Sequence, residues 1–352
     1  MTVSVTKPAI NVREELADLR KPTGLAGEAM LRAETPQEQF NLIGAGRRNL
    51  IINGDFQVSQ RGDYSSSTSV ASGAYSVDRW KSNDPFNLQR FTGQVIDGIR
   101  TNYVKVSYNG TASMGFMQLI EDKDYEVLRG QTITISAYVR TNQALFGFRL
   151  YDGSQKYGPR FVADGNWHRA TWTFTWSPSS PSYFNILFDT YQGSFPTIGS
   201  GDYMDIAMVQ VELGKVATPF EHRSYGEELA LCQRYYQHNF PTGYYPANGQ
   251  GITDTEDGVS GWAAFSSSTA RSPYVYFPVT MRASPTVTPY SAGSSDSDGK
   301  WARYNFSAWV DIVSQSIDPT SSFFAVRENG GSGMTAGYTY LMRGMWSADA
   351  EL

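Results

Sequence analysis

Aromatic side chains in polar surroundings are the residues of this chain whose types and spacing could do chemistry. The sequence contains 8 Trp and 22 Tyr among 352 residues, which is more than a hydrophobic core requires. An aromatic ring can pack against the axial C–H groups of a pyranose, while nearby amides and carboxylates hold the sugar hydroxyls. Carbohydrate binding is therefore the first chemistry that these residues indicate.

Six aromatic residues are candidates for ligand contact because of the residues that flank them. Tyr244, Tyr245 and Trp262 lie among Gly, Asn and Ser, where a core explains an aromatic ring less readily. Trp167 follows an Asp-Gly-Asn turn and is well placed for exposure. Core packing is the alternative for every candidate, and it is the favoured interpretation for Trp80, Trp172 and Trp176. The full set of candidates is Tyr244, Tyr245, Trp262, Trp301, Trp309 and Trp167.

Signatures of catalysis are weak in this sequence. The three histidines are His168, His222 and His238, and no Gly-x-Ser-x-Gly elbow of a hydrolase accompanies them. A glycosidase needs only two carboxylates at the right separation, and 34 acidic residues leave such a pair open. No EF-hand spacing and no Cys/His zinc pattern is present. We therefore expect no enzyme activity, no catalytic residues and no cofactor.

Charge and hydropathy exclude several classes of partner. The net charge is −5 and no long run of Lys or Arg occurs, so the basic stripe of a nucleic-acid-binding protein is missing. The single cysteine, Cys232, cannot form an intrachain disulfide. The sequence shows neither a signal-peptide pattern nor a run of 18 apolar residues. We expect synthesis in a cytoplasm, with no nucleic-acid partner and no insertion into a membrane.

The elements that must position these side chains are mostly strands. Residues 133–139, 170–176 and 203–213 alternate between apolar and polar side chains, with period two. Asn-Gly and Asp-Gly turn sequences at 109–110, 152–153 and 164–165 separate such runs. Similar patterns resume at 274–280, 308–313, 323–326 and 337–342. This arrangement predicts a mainly β chain with two antiparallel β-sandwich domains, the second one smaller.

Helical patterns occur at the N-terminus and between the two β regions. Residues 1–48 contain two capping signals, at Asn11 and Thr35, and short apolar helical faces. Helices of that length cannot build a core alone, so we expect this segment to dock on another protein or on its own copies. A third capping box, Ser224 to Glu227, predicts a helix over 225–237 that joins the two sandwiches.

Several motifs resemble those of bacteriophage tail fibre and receptor-binding proteins, including those of marine and cyanobacterial podophages. The densest resemblance covers 49–236. It includes NLIINGDF at 49–56, QRG at 60–62, VDRW at 77–80, AMVQVELG at 207–214, ATPFEHR at 217–223 and EELALCQRYY at 227–236. Further similar stretches are 7–16, 40–46, 277–285 and 348–352. The resemblance implies that residues 49–223 fold as a jelly roll similar to a carbohydrate-binding module.

The same resemblance implies partners and a location. It implies a homotrimer that is attached through residues 1–48 to tail adaptor or nozzle proteins, within a virion. It also implies recognition of a host envelope glycan such as lipopolysaccharide. In the carbohydrate-binding modules that the chain resembles, acids near the places of Asp55 and Asp205 hold a structural calcium ion, which the sequence leaves open without supporting it.

The resulting prediction has four segments: a docking segment at 1–48, a jelly-roll domain at 49–223, a linker helix at 224–238, and a distal receptor-binding β-domain at 239–352. The expected function is that of a tail fibre protein that mediates adsorption to the host cell surface. Two alternatives remain open: a tail adaptor or fibre-base protein without receptor contact, and a surface polysaccharide depolymerase.

Overall fold

The chain is mainly β, as the sequence predicts. The structure is a computed structural model that describes residues 48–110, 113–121, 128–151, 154–177, 184–190, 198–249, 259–291, 300–307, 309–312, 314–329 and 333–352. These residues form 22 strands and one helix. The predicted docking segment lies outside the described residues except for Arg48.

Eleven strands form two antiparallel sheets in the first half of the chain. They are β1 (Thr68–Val70), β2 (Trp80–Asp84), β3 (Phe86–Ile96), β4 (Ile99–Ser107), β5 (Gly115–Ile120), β6 (Thr132–Thr141), β7 (Gly147–Tyr151), β8 (Gln155–Arg160), β9 (His168–Thr175), β10 (Phe184–Asp189) and β11 (Tyr203–Leu213). A six-stranded sheet has the order β1-β3-β4-β11-β6-β9, and a five-stranded sheet has the order β2-β5-β10-β7-β8. Every pair of neighbours in both sheets is antiparallel.

The two sheets face each other across one hydrophobic core, and we call this unit the first sandwich. In β6 the residues Ile133, Ile135 and Val139 are fully buried toward the five-stranded sheet, while Thr134 and Ser136 lie on the opposite face. Core rings include Trp80, which stacks on Phe116 with ring centroids 4.8 Å apart. The predicted core roles of Trp80, Trp172 and Trp176 agree with their membership of this cluster or their packing against it.

A β-bulge in β11 changes which segment of the chain pairs with one edge of this strand. The register of β11 on β6 shifts between Ala207 and Gln210, and Met208 has a positive φ of 50°. Beyond the bulge, the segment 49–54 takes the place of β4 beside β11, with Leu50 N donating to Val211 O at 2.9 Å and Val209 N donating to Gly54 O at 2.8 Å. Glycine is required at position 54, because a Cβ there would lie 2.2 Å from Val209 O.

The helix α1 (Tyr225–Gln233) packs against this opening segment. Its capping box is present: Ser224 Oγ accepts from Glu227 N, and the Glu227 carboxylate accepts from Ser224 N. The buried Glu228 carboxylate accepts a hydrogen bond from Asn53 N at 2.5 Å. The helix is shorter than the predicted 225–237, because residues after Arg234 leave it to form a strand. It is also too short to cross a membrane, and the described residues contain no helix that could.

Eleven further strands make up the second half of the chain. They are β12 (Tyr236–His238), β13 (Val259–Ala264), β14 (Thr269–Arg271), β15 (Val275–Tyr276), β16 (Thr286–Tyr290), β17 (Trp301–Tyr304), β18 (Trp309–Ile312), β19 (Ser314–Ile317), β20 (Phe323–Asn329), β21 (Thr339–Arg343) and β22 (Met345–Asp349). The order β12-β22-β16 forms a three-stranded sheet, and the others form an eight-stranded sheet. The two sheets share a second core, separate from the first.

The last residues of the chain return to the first sandwich. Ala350 N donates to Tyr235 O at 2.8 Å, and the Tyr75 hydroxyl donates to Leu352 O at 2.6 Å. The Glu351 carboxylate forms an ion pair with Arg79, whose guanidinium lies over the Tyr235 ring at 3.5 Å from its centroid. We call these contacts the C-terminal clamp, because they join the two halves of the chain through buried charges.

Candidate functional site

Aromatic and polar side chains align in two cross-strand rows on the face of the six-stranded sheet that points away from the core, which we call the outer face. Register pairs place Phe91, Tyr103, Ala207, Tyr138 and Arg169 side by side on β3, β4, β11, β6 and β9. We call this set the aromatic row. Two residues along the strands, the next outward positions are Gln89, Lys105, Asp205 and Arg140, which we call the polar row.

Phe91, Tyr103 and Trp167 form a chain of ring contacts on the outer face, which we call the aromatic stack. Phe91 and Tyr103 are stacked, with centroids 4.6 Å apart and an interplanar angle of 11°. Trp167 meets the Tyr103 ring edge-on at 5.3 Å. Tyr103 is buried, with 8% of its surface exposed, whereas Trp167, Phe91 and Tyr138 are half-buried and pack against it in a hydrophobic cluster that is distinct from both cores. Ring surface is therefore available to a ligand at the outer face.

An ion pair between half-buried Arg140 and buried Asp205 lies beside this stack. The Asp205 side chain is fully buried and accepts from Arg140 Nε at 2.7 Å, while its Oδ1 atom has no hydrogen-bond partner among the described residues. Burial raises the pKa of Asp205, and the bonded Arg140 opposes that rise. The Arg140 guanidinium lies over the Trp167 ring at 4.9 Å from its centroid. Arg140 therefore links the stack to the carboxylate and fixes the plane of the Trp167 ring.

The segment that follows β11 covers one end of the outer face. Thr218 N donates to the Glu212 carboxylate at 2.9 Å, and Glu221 N donates to Gln210 Oε1 at 2.8 Å. These bonds hold residues 217–221 over outward positions of β11, and Phe220 joins the cluster that contains Met208. The outer face is therefore closed beyond the bulge and open over the aromatic and polar rows.

Two pockets lie on either side of the aromatic stack. The first has a volume of about 220 Å³ and is lined by Ile99, Ser136, Tyr138, Arg169, Met208, Pro219 and Phe220. We call it the apolar pocket, after most of its walls. The second has a volume of about 280 Å³ and is lined by Ser67, Gln89, Lys105, Ser107, Tyr108, Gly201, Asp202 and Tyr203. We call it the polar pocket. Each pocket can accept a ring-sized group, and the stack lies between them.

The six sequence candidates are not brought together. Trp167 is half-buried and belongs to the aromatic stack, and its role as a ligand contact stays a prediction. The expectation of exposure is wrong for Trp262, which is 0% exposed, and the candidate Trp301 is also buried, with 3% of its surface exposed. Both occupy inward strand positions, and the Trp301 ring packs so closely on Gly344 that a Cβ there would lie 2.2 Å from it. Composition of the flanking sequence does not distinguish an inward from an outward strand position.

The other three candidates lie away from the outer-face rows. Trp309 is half-buried beneath Arg343, whose guanidinium lies 4.4 Å from its ring centroid, and it also contacts Tyr304. Tyr244 is exposed and Tyr245 is half-buried, both in the connection after β12. Their role as ligand contacts stays a prediction.

The two acids considered for calcium occupy separate environments. Asp205 is bonded to Arg140, whereas Asp55 is buried close to Glu228, and burial raises the pKa of Asp55 to about 6. Among the described residues, no group of three or more His, Cys, Asp or Glu side chains is placed to hold a metal ion.

Sequence reasoning missed most of the outer-face site. Tyr138 is an outward residue of an alternating strand, and an aromatic ring at such a position is a signal that the sequence does carry. Phe91 and Tyr103 join the site through strand register, which a single sequence does not display. The Asp97-Gly98 turn, with φ values of 50° and 76°, could have fixed that register, because such turns define two-residue hairpins.

Comparisons with known proteins give distant similarities only. No protein-family model matches the chain, and no curated protein sequence matches it. Among solved structures, the enzymatically active domain of tailspike protein 4 of bacteriophage CBA120 aligns at 14% identity and a TM-score of 0.29, over 47% of this chain and 21% of its own length. The Clostridium thermocellum xylanase 10B CBM22-1–GH10 modules, complexed with xylohexaose, align at 12% identity and a TM-score of 0.30, over 51% of this chain and 30% of theirs.

A third solved structure covers more of the chain. The CBM22-1–CBM22-2 tandem domain of Paenibacillus barcinonensis Xyn10C aligns at 14% identity over 84% of this chain and 99% of its own length, with a TM-score of 0.29. The chain spans less than a third of the length of the tailspike domain and of the xylanase modules. The function proposed below is therefore argued from side-chain geometry.

Proposed function

We propose that this chain is a structural component of a phage tail fibre that recognises a glycan on the host cell surface through the outer face. The observation that carries the glycan-binding part is the pair of half-buried rings of Phe91 and Trp167, joined through Tyr103 and lying beside the Arg140–Asp205 pair, outside both hydrophobic cores. Ring faces and a fixed charged pair at one exposed edge are what a pyranose needs for its C–H face and its hydroxyls.

The charged pair also explains why the rings are held in place. Arg140 is bonded to Asp205 and lies over Trp167, so neither the guanidinium nor the ring has much rotational freedom to lose when a ligand binds. Binding sites gain affinity when their side chains are ordered beforehand, because less conformational entropy is lost on association. The polar row therefore supports recognition by orienting the aromatic surface.

The proposed role is binding without catalysis. A glycosidase needs one carboxyl group to donate a proton and a second to act as base or nucleophile. Asp205 is the buried carboxylate beside the stack, and its Oδ2 atom is bonded to Arg140 at 2.7 Å. An acid neutralised in this way supports structure better than proton transfer, which favours an adhesin over a depolymerase.

The tail location and the oligomer are supported by the sequence resemblance. We propose that residues 1–48 dock to the tail and that three copies assemble, each with one outer face directed outward. Single glycan sites are typically weak, and linking several of them raises the effective concentration of the second contact. A trimeric fibre would therefore adhere firmly through individually weak sites.

Binding of the intact protein to immobilised envelope oligosaccharides tests this proposal. We expect the Trp167→Ala variant to bind about ten-fold more weakly, because it loses one aromatic contact face. Tyr157→Ala is the matched control, since Tyr157 is an exposed ring on the five-stranded sheet, away from the outer face. Equal binding by the wild type and by both variants would contradict the outer-face assignment, and release of new reducing ends would contradict the non-enzymatic role.

A further inference from the structure

The apolar pocket combines hydrocarbon walls with a polar rim, and its chemistry is more specific than that of a general sugar site. Its walls are formed by Ile99, Met208, Pro219 and Phe220. Met208 reaches this face because the β11 bulge places it next to Ala207 on the outer side. Phe220 arrives with the covering segment that is bonded to Gln210 and Glu212. The β11 bulge and the covering segment therefore each contribute one side chain to the same hydrophobic wall.

The rim of the same pocket carries donors and acceptors. The Tyr138 hydroxyl donates to Asp97 Oδ2 at 2.5 Å, and Arg169 is exposed with one of its nitrogens bonded to Thr218 O. A guanidinium has five N–H donors, so Arg169 retains donors for a ligand. Ser136 lies at the pocket floor. A bound group would thus find hydrogen-bond partners at the rim and none on the opposite wall.

This asymmetry selects among sugars. A hydroxyl group pressed against the walls of Met208 and Phe220 would lose its water partners without replacement, whereas a methyl group would be favoured there. Sugars that carry one methyl group next to several hydroxyls have this two-sided character. They include 6-deoxyhexoses, with a ring methyl, and N-acetylated sugars, with an acetamido methyl.

The polar pocket determines the length of the ligand. Tyr203 lines the polar pocket and Met208 lines the apolar pocket, both on β11. Five residues of strand separate them, which corresponds to about 17 Å. That distance exceeds the width of one pyranose ring, so a ligand that fills both pockets must be an oligosaccharide that crosses the aromatic stack and the Arg140 side chain.

We propose that the outer face binds an oligosaccharide whose methyl-bearing sugar occupies the apolar pocket, with the following sugars extending over the aromatic stack toward Lys105 and Tyr203 in the polar pocket. This inference rests on the proposed glycan-binding function and adds the ligand class. It assigns specificity to Met208 and Phe220, and general affinity to the aromatic stack.

Titration of the full-length protein with matched oligosaccharides tests this inference. Two pairs of oligosaccharides are compared. One pair ends in a 6-deoxyhexose or in its parent hexose, and the other ends in N-acetylglucosamine or in glucose. The rest of the oligosaccharide is the same within each pair. We expect about ten- to a hundred-fold tighter binding of at least one methyl-bearing member, which is the discrimination that hydrophobic pockets reach. The pair that shows the preference identifies the source of the methyl group.

Two variants separate the pocket from the rest of the site. Phe220→Ser should reduce the methyl preference to within a few-fold of unity, with the larger loss of affinity in the methyl-bearing member of each pair. Gln89→Ala, in the polar pocket, should weaken both members of a pair equally and preserve the preference. Binding of both members with equal affinity, or an unchanged preference in Phe220→Ser, would overturn the inference and leave the glycan-binding function standing. Absence of binding to every oligosaccharide would overturn both.

Discussion

The C-terminal clamp makes a sharp prediction about stability. Glu351 is 3% exposed at its side chain and pairs with Arg79, which is 1% exposed, and it also lies 3.4 Å from Arg61. The Glu351→Gln substitution keeps the shape of the side chain and removes its charge. The Arg79 guanidinium would then remain buried without a counter-charge, because the carbonyl of Leu119 and the ring of Tyr235, which it also contacts, carry no charge.

The magnitude follows from the burial of both partners. Removing one member of a buried ion pair typically costs about 3–5 kcal/mol, since an uncompensated charge stays in a low-dielectric environment. Total stability of a domain is about 5–15 kcal/mol, so Glu351→Gln should remove a large fraction of it. Asp349→Asn offers the matched control: its side chain is 44% exposed, and Arg61, with which it pairs, keeps the charges of Asp78 and Glu351, so we expect a cost of about 0–1 kcal/mol, as for exposed carboxylates.

Equilibrium unfolding in guanidinium chloride, followed by tryptophan fluorescence, measures the difference. We expect Glu351→Gln to unfold at a clearly lower denaturant concentration than the wild type and Asp349→Asn to stay close to it. The double variant Arg79→Met/Glu351→Met should recover most of the loss, because an apolar pair leaves no buried charge. If Glu351→Gln costs no more than Asp349→Asn, the clamp does not join the two halves in the way described.

Three further predictions concern the first sandwich and its helix, each measured by equilibrium unfolding. Gly54→Ala should cost about 1–3 kcal/mol, because its Cβ would lie 2.2 Å from Val209 O; an unchanged midpoint contradicts the close approach. Ser224→Ala should cost about 1 kcal/mol through loss of the helix cap, with Lys215→Ala as a neutral control. Asp55→Asn should stabilise the fold by up to about 3 kcal/mol above pH 6, since burial raises the folded pKa from 3.8 to about 6.

The sign of the Asp55 effect follows from linkage. A raised acid pKa means that the folded state binds more protons than the unfolded state between pH 3.8 and about 6, so stability falls as pH rises through that window. Above it, the cost of the buried carboxylate is constant. Asp55→Asn should remove the slope, and a variant that keeps the same pH profile as the wild type would show that Asp55 does not cause it.

Much of the sandwich could be predicted from alternation in the sequence, whereas the site depends on contacts between distant strands. The alternating runs at 133–139 and 170–176 predict β6 and β9. Successive side chains of a strand point to opposite faces, so this alternation also indicates which face each residue takes. Tyr103 and Trp167 are 64 positions apart, and only register and the turn before β9 bring their rings together. Sequence separation gives no information on such pairings.

The failures at Trp262 and Trp301 have a related cause. Their flanks are rich in Gly, Ser and Asn, which indicate turns, yet the rings face the second core from strands only four to six residues long. In short strands the polar turn residues lie close to core positions, so the composition of the flanking sequence does not indicate whether a residue is buried. The C-terminal clamp could not be predicted from the sequence either, because Arg79 and Glu351 are 272 positions apart.

The central claim is that glycans bind on the outer face of the six-stranded sheet. Photo-crosslinking with the oligosaccharide that binds the intact protein most tightly, followed by mass spectrometry of the labelled peptides, tests it most directly. The account predicts labels on peptides that contain Tyr103, Tyr138 and Trp167, and their loss when unlabelled oligosaccharide competes. Competed labels confined to residues 239–352, with none on β4, β6 or the turn before β9, would contradict it.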